Sequence, residues 1–293
     1  MSLSRATDPA AVPPRSFASV VSLAHRGVLV IAHRGVWTEA PENSLAAIRA
    51  AVALGLDMVE IDARLAADGT PVVIHDATLD RTSELSGAVG SLTAGALRSV
   101  RLRMGEGGPD APVTDERLPT LAEALEEARG RILVNVDTKS TAELPAVMAL
   151  VQDLAMTDEV VVKAAVDPER VAALPGVHPA FGPVPFMPLL EARHGRFAAD
   201  VERLRTLAPA MIECEAADFD ALGEGRAALQ AAGIRLWVNS LDCSHVAGHD
   251  DSRAAADPNA VWGALLDAGV GAIQTDRAAE LVAYLAAHGR RAA

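Results

Sequence analysis

Two short segments of this chain place carboxylates where a cation could sit. Side chains two apart in a strand share a face, so in Glu60-Ile61-Asp62 both acids project together while Val59 and Ile61 point the other way. That arrangement makes half of a cation site. The run Val134-Asn135-Val136-Asp137-Thr138-Lys139 likewise sets Asn135, Asp137 and Lys139 on one face. His33 and His75 each follow an apolar run, and an imidazole that titrates near neutrality can take a proton from one group or give it to another. Arg34 could grip a phosphoryl oxygen with its fork of donors, and Lys139 could add a point charge to the same group. The plainer reading of Arg34 is an ion pair with Glu42 or Asp62, and the two readings are compatible.

Such residues need a frame that brings them together. After a polar, proline-containing segment (1–26), expected to be a flexible or surface-draped arm, short β-branched runs alternate with alanine-rich helical patterns. The predicted strands are 28–33, 58–62, 71–75, 132–138, 160–164, 177–181, 210–214, 234–239 and 271–275. Helical patterns cover 44–54, 121–129, 142–154, 198–207, 219–231 and 259–268. Alternation of this kind predicts a parallel sheet covered by helices. Counting 71–75 as an extension near the second strand leaves eight units, which suit a single closed (β/α)8 TIM barrel over 27–293. A doubly wound open sheet has the same periodicity. The Gly- and Pro-rich stretch 105–120 reads as a loop or part of a small insertion after the second strand unit. The segment 242–258 is a second long connection following a strand, at the barrel end where sites form and loops vary specificity.

Composition excludes several roles. A formal charge of −13 disfavours nucleic acid and anionic membrane surfaces as partners, and it requires concentrated local positive charge if the ligand is an anion. Neither a secretory signal nor a membrane span is evident in the N-terminal segment. The cytoplasm is the expected compartment, or the periplasm or exterior if a leader was removed. Cys214 and Cys243 make no disulfide framework and read as a buried thiol pair. His245, His249, Asp250 and Asp251 cluster without a zinc-ligand spacing. Glu213 and Glu215 share a strand face and could bind hydroxyls. There is no Gly-x-Ser-x-Gly elbow, P-loop or dinucleotide fingerprint.

The order Ala32-His33-Arg34-Gly35, Pro41-Glu42-Asn43-Ser44, Glu60-Ile61-Asp62, Asp68-Gly69, His75-Asp76 and Leu79-Asp80-Arg81-Thr82 closely resembles the signature of the glycerophosphodiester phosphodiesterase family. A near copy, Ala24-His25-Arg26-Gly27, lacks the preceding strand and the following Pro-Glu-Asn, and reads as a decoy. Trp237-Val238-Asn239 and Thr275-Asp276-Arg277 fit the family's last two strands, extending the likeness over about 28–288. The resemblance implies a TIM barrel, a metal-dependent phosphodiesterase and His33 and His75 as its acid/base pair, without saying which is which. It implies a metal held by Glu60, Asp62 and Asp137. Oxygen-only ligation suits Mg²⁺ or Ca²⁺, although Asp137 stands where the family usually has the longer Glu. Arg34 and Lys139 would bind phosphate. Glu42 would be an outer metal ligand or an acceptor from substrate, and Asn43 would cap the following helix. Trp237 and Asn239 would line the pocket, unless Trp237 is simply core. Asp68-Gly69 reads as a turn, and Asp80 with Arg81 as a local pair. The implied substrate is a small phosphodiester with a hydroxyl next to the phosphorylated oxygen, cleaved through a cyclic phosphate to an alcohol and a phosphomonoester of the glycerol 3-phosphate type. A lyase releasing the cyclic product, and a silent barrel that binds phosphorylated ligands, are the alternatives.

Overall fold

The computed structural model describes residues 16–24, 27–176 and 182–291. Its strands are β1 (Leu29–Ala32), β2 (Met58–Leu65), β3 (Pro71–Val73), β4 (Arg101–Arg103), β5 (Val113–Arg117), β6 (Leu133–Thr138), β7 (Val160–Ala165), β8 (Phe186–Glu191), β9 (Met211–Glu215), β10 (Arg235–Asn239) and β11 (Ala272–Thr275). The α-helices are α1 (Phe17–Val21), α2 (Leu45–Ala53), α3 (Ala94–Leu97), α4 (Leu121–Ala128), α5 (Leu144–Asp153), α6 (Phe197–Leu204), α7 (Asp220–Ala232), α8 (Asp251–Ala256), α9 (Ala264–Asp267) and α10 (Ala278–Ala287).

Among the described residues, β1, β2, β6, β7, β8, β9, β10 and β11 pair in parallel in that order, and β11 also pairs with β1, so the sheet closes into the expected (β/α)8 barrel. The predicted strand 177–181 lies outside the described residues. The strand in that place of the barrel is β8, and its Pro188 had hidden it, because proline lacks the amide that a central strand normally donates. Between β7 and β8, a 3₁₀ segment, Pro168–Gly176, stands in for the usual crossover helix.

Alternation inside the barrel builds layers. Leu29, Met58, Leu133, Val161, Met187, Met211, Trp237 and Ala272 fill the bottom with apolar side chains. One step up each strand, the buried residues become Glu60, Asn135, Lys163, Glu213, Asn239 and Gln274. The floor is closed by α1, whose Phe17, Val20 and Val21 pack on the bottom layer. Residues 16–24 are therefore a plug rather than a free arm. Arg235 ties it down, donating to the Val21 and Ser22 carbonyls at 2.9 and 2.6 Å.

The stretch 105–120 is part of an insertion, as expected, and the whole of it begins at β3. Strand β2 overshoots the rim, turns at Asp68-Gly69 as expected, and β3 returns antiparallel with Ala63 opposite Val73. The chain then makes an excursion through α3 and the β4–β5 hairpin before α4. This excursion has its own apolar core, centred on Val72, Leu79, Leu97, Leu102 and Leu118. Among the described residues, no helix is long and apolar enough to cross a membrane.

Candidate active site

The site is built first by backbone geometry. His33 follows the last residue of β1. Arg34 and Gly35 then turn with positive φ of 55° and 84°, and a Cβ on Gly35 would lie 2.6 Å from the Cβ of Ala47 in α2. Only glycine lets the loop sit this close to the helix. Ser44, not Asn43, caps α2 by accepting from the Ala47 amide. Asn43, itself at φ 57°, instead donates to Asp62 Oδ2 at 2.8 Å and accepts from the Asp62 amide at 3.0 Å. The capping expectation for Asn43 is thus replaced by a role in orienting a carboxylate.

Register brings the acids together. In the β2–β6 pair, Glu60 lies opposite Asn135 and Asp62 opposite Asp137. Ligand oxygens of Glu60, Asp62 and Asp137 lie within 4.8 Å of one another, with the first two residues buried and Asp137 partly so. Lys139 supplies a cation to this cluster, with Nζ 2.5 Å from Asp62 Oδ1 and 2.7 Å from Asp137 Oδ2. The shorter aspartate therefore reaches the cluster. Burial and the neighbouring Asp62 push the Glu60 carboxyl up to about 7. Burial would raise Asp62 too, but Lys139 and Arg34 outweigh it and hold Asp62 at about 2. The cluster could hold one hard cation: its carboxylates come from the neighbouring strands β2 and β6, and an ammonium already lies against two of the three acids.

Arg34 forms the ion pairs expected of it, with both Glu42 and Asp62. Its Nη1 donates to the Glu42 oxygens at 3.2 and 3.0 Å, and Nε lies 3.3 Å from Asp62 Oδ2. Glu42 is corrected: it is 2% exposed, outside the acidic cluster, and both of its oxygens also accept from Arg81. It is counter-ion to two guanidiniums. The Asp80–Arg81 pair is likewise replaced, since Arg81 pairs with Asp76 and Glu42.

The two histidines reach the same mouth by different routes. His33 directly follows β1, and its Nδ1 lies 2.8 Å from Asp276 Oδ1. His75 does not follow a barrel strand; the β2–β3 return carries it back to the rim, where the Ile74 amide donates to the Asp62 carbonyl at 3.0 Å. Its Nδ1 lies 2.7 Å from Asp76 Oδ1. A carboxylate accepts at each Nδ1, so each Nε2 is left for chemistry. The two rings are driven in opposite directions. Burial lowers the pKa of His33, but Asp276 and the charge on Glu60 outweigh it and the net shift is upward. His75 is shifted downward, chiefly by burial, helped by Arg34 and Lys139. In the sequence, Asp276 stands out only as part of Thr275-Asp276-Arg277. The legible signal was an acid directly after a strand end, where barrel sites form.

Other expectations are overturned. Trp237 is fully buried in the barrel floor and donates from Nε1 to Asn239 Oδ1 at 2.9 Å, so it is core and does not line the pocket. Asn239 is 7% exposed and donates to Glu213 at 3.0 Å. Glu213 also receives Lys163 Nζ at 3.0 Å, which leaves it unavailable to hydroxyls. Cys214 is buried and Cys243 exposed, both free, so they are not a thiol pair. In the 242–258 loop, His249 stacks on Phe219 and Asp250 caps α8. Asp251, pushed up to about 6 by burial, accepts from Ser240, Thr275 and the Asp276 amide at 2.7 Å each. The loop is thus clamped beside Asp276. A cavity of about 370 Å³ opens there, lined by Trp37, Thr38, Glu106, Asp242, Cys243 and Asp276 among others.

A model described as the glycerophosphoryl diester phosphodiesterase family matches residues 33–175, which carry the acidic cluster and both histidines. Residues 33–175, just under half of the chain, thus carry a domain of this family. A second model, described as a domain of unknown function, matches 186–285. The chain is 40% identical over 132 residues to mouse glycerophosphodiester phosphodiesterase 1, covering 43% of this chain and 35% of that protein. It is 41% identical over 103 residues to a glycerophosphodiester phosphodiesterase of Caldanaerobacter subterraneus, covering 34% of this chain and 40% of the relative. The chain thus spans well under half the length of these curated relatives. Among solved structures, a glycerophosphoryl diester phosphodiesterase from Parabacteroides distasonis superposes with a TM-score of 0.71 at 24% identity over 90% of this chain and 88% of that one. One from Agrobacterium tumefaciens gives 0.63 at 26%, over 87% and 99%. An Oleispira antarctica phosphodiesterase, solved with the product sn-glycerol-3-phosphate, gives 0.62 at 22%, over 89% and 97%.

Proposed function

We propose that this protein hydrolyses glycerophosphodiesters to an alcohol and a glycerol phosphate. The observation that carries this reading is the constellation itself: two imidazoles, each oriented by an aspartate, beside one acidic cluster flanked by Arg34 and Lys139. Glu60, Asp62 and Asp137 would hold a divalent cation, Mg²⁺ or Ca²⁺, which when bound would offset charge on the phosphoryl group and the attacking oxygen. Arg34 and Lys139 add positive charge at the mouth of a protein that is otherwise strongly acidic, where an anionic diester needs it.

His75, the ring shifted downward, suits the acceptor. Its Nε2 takes the proton of the hydroxyl next to the phosphate, and that oxygen attacks phosphorus as the bond to the leaving oxygen breaks. His33, the ring shifted upward, suits the donor, giving its Nε2 proton to the leaving alcohol. The products of this step are the free alcohol and a cyclic phosphate. Water then opens the ring with the roles exchanged. That Asp137 reaches the cluster supports turnover over a silent barrel. Turnover of glycerophosphocholine and bis(p-nitrophenyl) phosphate, with and without chelator, tests the reading. Activity should vanish with chelator and return with Mg²⁺ or Ca²⁺, and phosphorus NMR should show a phosphomonoester as the final product. Accumulation of the cyclic phosphate would make the enzyme a lyase. Binding without any turnover would leave only a phosphoryl-ligand barrel.

A further inference from the structure

Arg81 lies on the excursion outside the barrel and makes no contact with the acidic cluster, yet its guanidinium is fully engaged. Nε and Nη2 donate to the two oxygens of Asp76 at 2.8 and 2.9 Å. Nη2 and Nη1 donate to the two oxygens of Glu42 at 2.8 and 3.0 Å, and Nη1 also reaches the Glu106 carbonyl at 2.5 Å. Its own carbonyl accepts from the Gly108 amide at 2.7 Å, and a Cβ at Gly107, where φ is 78°, would collide with it. The hairpin therefore locks Arg81 in place from above.

The two aspartates behind the histidines differ in what else they hold. Asp276 shares its charge between His33 and the Trp37 indole, a neutral donor 3.3 Å away. Asp76 receives His75 on the same oxygen that also receives Arg81, and its other oxygen is taken by the same guanidinium. A bidentate guanidinium neutralises a carboxylate where an indole does not. Asp76 can still orient the Nδ1 proton of His75, but it has little charge left with which to hold a second proton on the ring.

We propose that Arg81 is a positioning residue that acts through Asp76 to keep the His75 ring oriented and in its free-base form. The role assumes the reading above, in which His75 accepts the first proton. The other charged groups that act on His75 are Asp62, which favours the protonated ring, and Arg34 and Lys139, which oppose it. With Arg81 removed, Asp76 regains its charge and joins Asp62.

The test reads the ring directly. The His75 Cε1–H signal, assigned with His75→Gln, is titrated by NMR in the wild type, Arg81→Met, Arg81→Lys, Asp76→Asn and the double variant Arg81→Met/Asp76→Asn, with and without Mg²⁺. Arg81→Met should raise the His75 pKa by on the order of one unit, a factor of ten in protonation. Arg81→Lys, which keeps the charge but cannot bind both oxygens, should give a smaller rise and keeps the test open if the Met variant does not fold. Adding Arg81→Met to Asp76→Asn should move the pKa no further. An unmoved pKa in both Arg81 variants would overturn the proposal, as would an equal rise with and without Asp76. The acidic limb of the kcat profile should move up with the NMR value. If the ring responds as expected while the wild type cleaves no diester, the proton-acceptor reading falls and the control of His75 by Arg81 stands.

Discussion

Asp276→Asn removes a charge and almost nothing else. The side chain keeps its size, and Oδ1, which accepts from His33 Nδ1 at 2.8 Å and from Trp37 Nε1 at 3.3 Å, survives as the amide oxygen. Because both of these partners face Oδ1, the amide can present its oxygen to them, and the tautomer with the proton on Nδ1 is preserved. What changes is the strength of the bond. A hydrogen bond to a charged group contributes about 1.5–3 kcal/mol and a neutral one about 0.5–1.5, so the difference is about 1–1.5 kcal/mol. At 1.36 kcal/mol per unit this is about one pKa unit. His33 is 8% exposed, so solvent screens little of the effect, and burial then acts on the ring opposed mainly by the charge on Glu60. His33 should fall from above its ordinary value towards or below it. A proton donor works only while protonated, so the basic limb of the kcat profile should move down by about one unit, with a roughly tenfold loss at alkaline pH and little change near pH 6. The assay is kcat against pH from 5 to 9 on glycerophosphocholine, with thermal melting to confirm an intact fold. A uniform loss at every pH with the limb in place would reduce Asp276 to orientation alone. An unchanged profile would refute His33 as the donor.

His33→Ala and His75→Ala should each cost about 10² to 10⁴ in turnover while leaving melting temperature and metal content unchanged; His25→Ala, in the duplicate motif and outside the described residues, should be silent, and equal loss there would move the motif. The pH dependence of stability follows from Glu60. Its carboxyl is raised from 4.5 to about 7 in the fold, so the folded state keeps a proton that the unfolded chain has released, and metal-free stability should fall as pH rises through that window. Mg²⁺ should therefore raise the melting temperature more at pH 8 than at pH 5, and the opposite order by scanning fluorimetry would take Glu60 out of the site. Shortening the part of the 242–258 loop between Asp242 and Asp251, while keeping both, should reorder activity among diesters of different leaving alcohols and spare a small synthetic diester; an unchanged ranking would make the loop a bystander.

Much of this protein is written locally. Strand periodicity, the i and i+2 placement of Glu60 with Asp62 and of Asp137 with Lys139, and the His-Arg-Gly turn depend on neighbours within a few residues, and all can be read along the chain. Even the layering of the barrel is visible once closed: Met58, Glu60 and Asp62, or Leu133, Asn135 and Asp137, step from apolar floor to polar mouth on one strand face. Facts about pairs distant in sequence were not legible. Asp276 meets His33 across 243 positions because β11 lies beside β1. Arg81 meets Glu42 across 39 because the excursion folds back over the rim. Trp237 looked like a pocket residue because alternation assigns a face but not a depth. Its register opposite Ala272, in the bottom layer on which α1 rests, decided that it is core. Closure of the barrel sets which residues share a layer, and that is a property of eight strands at once.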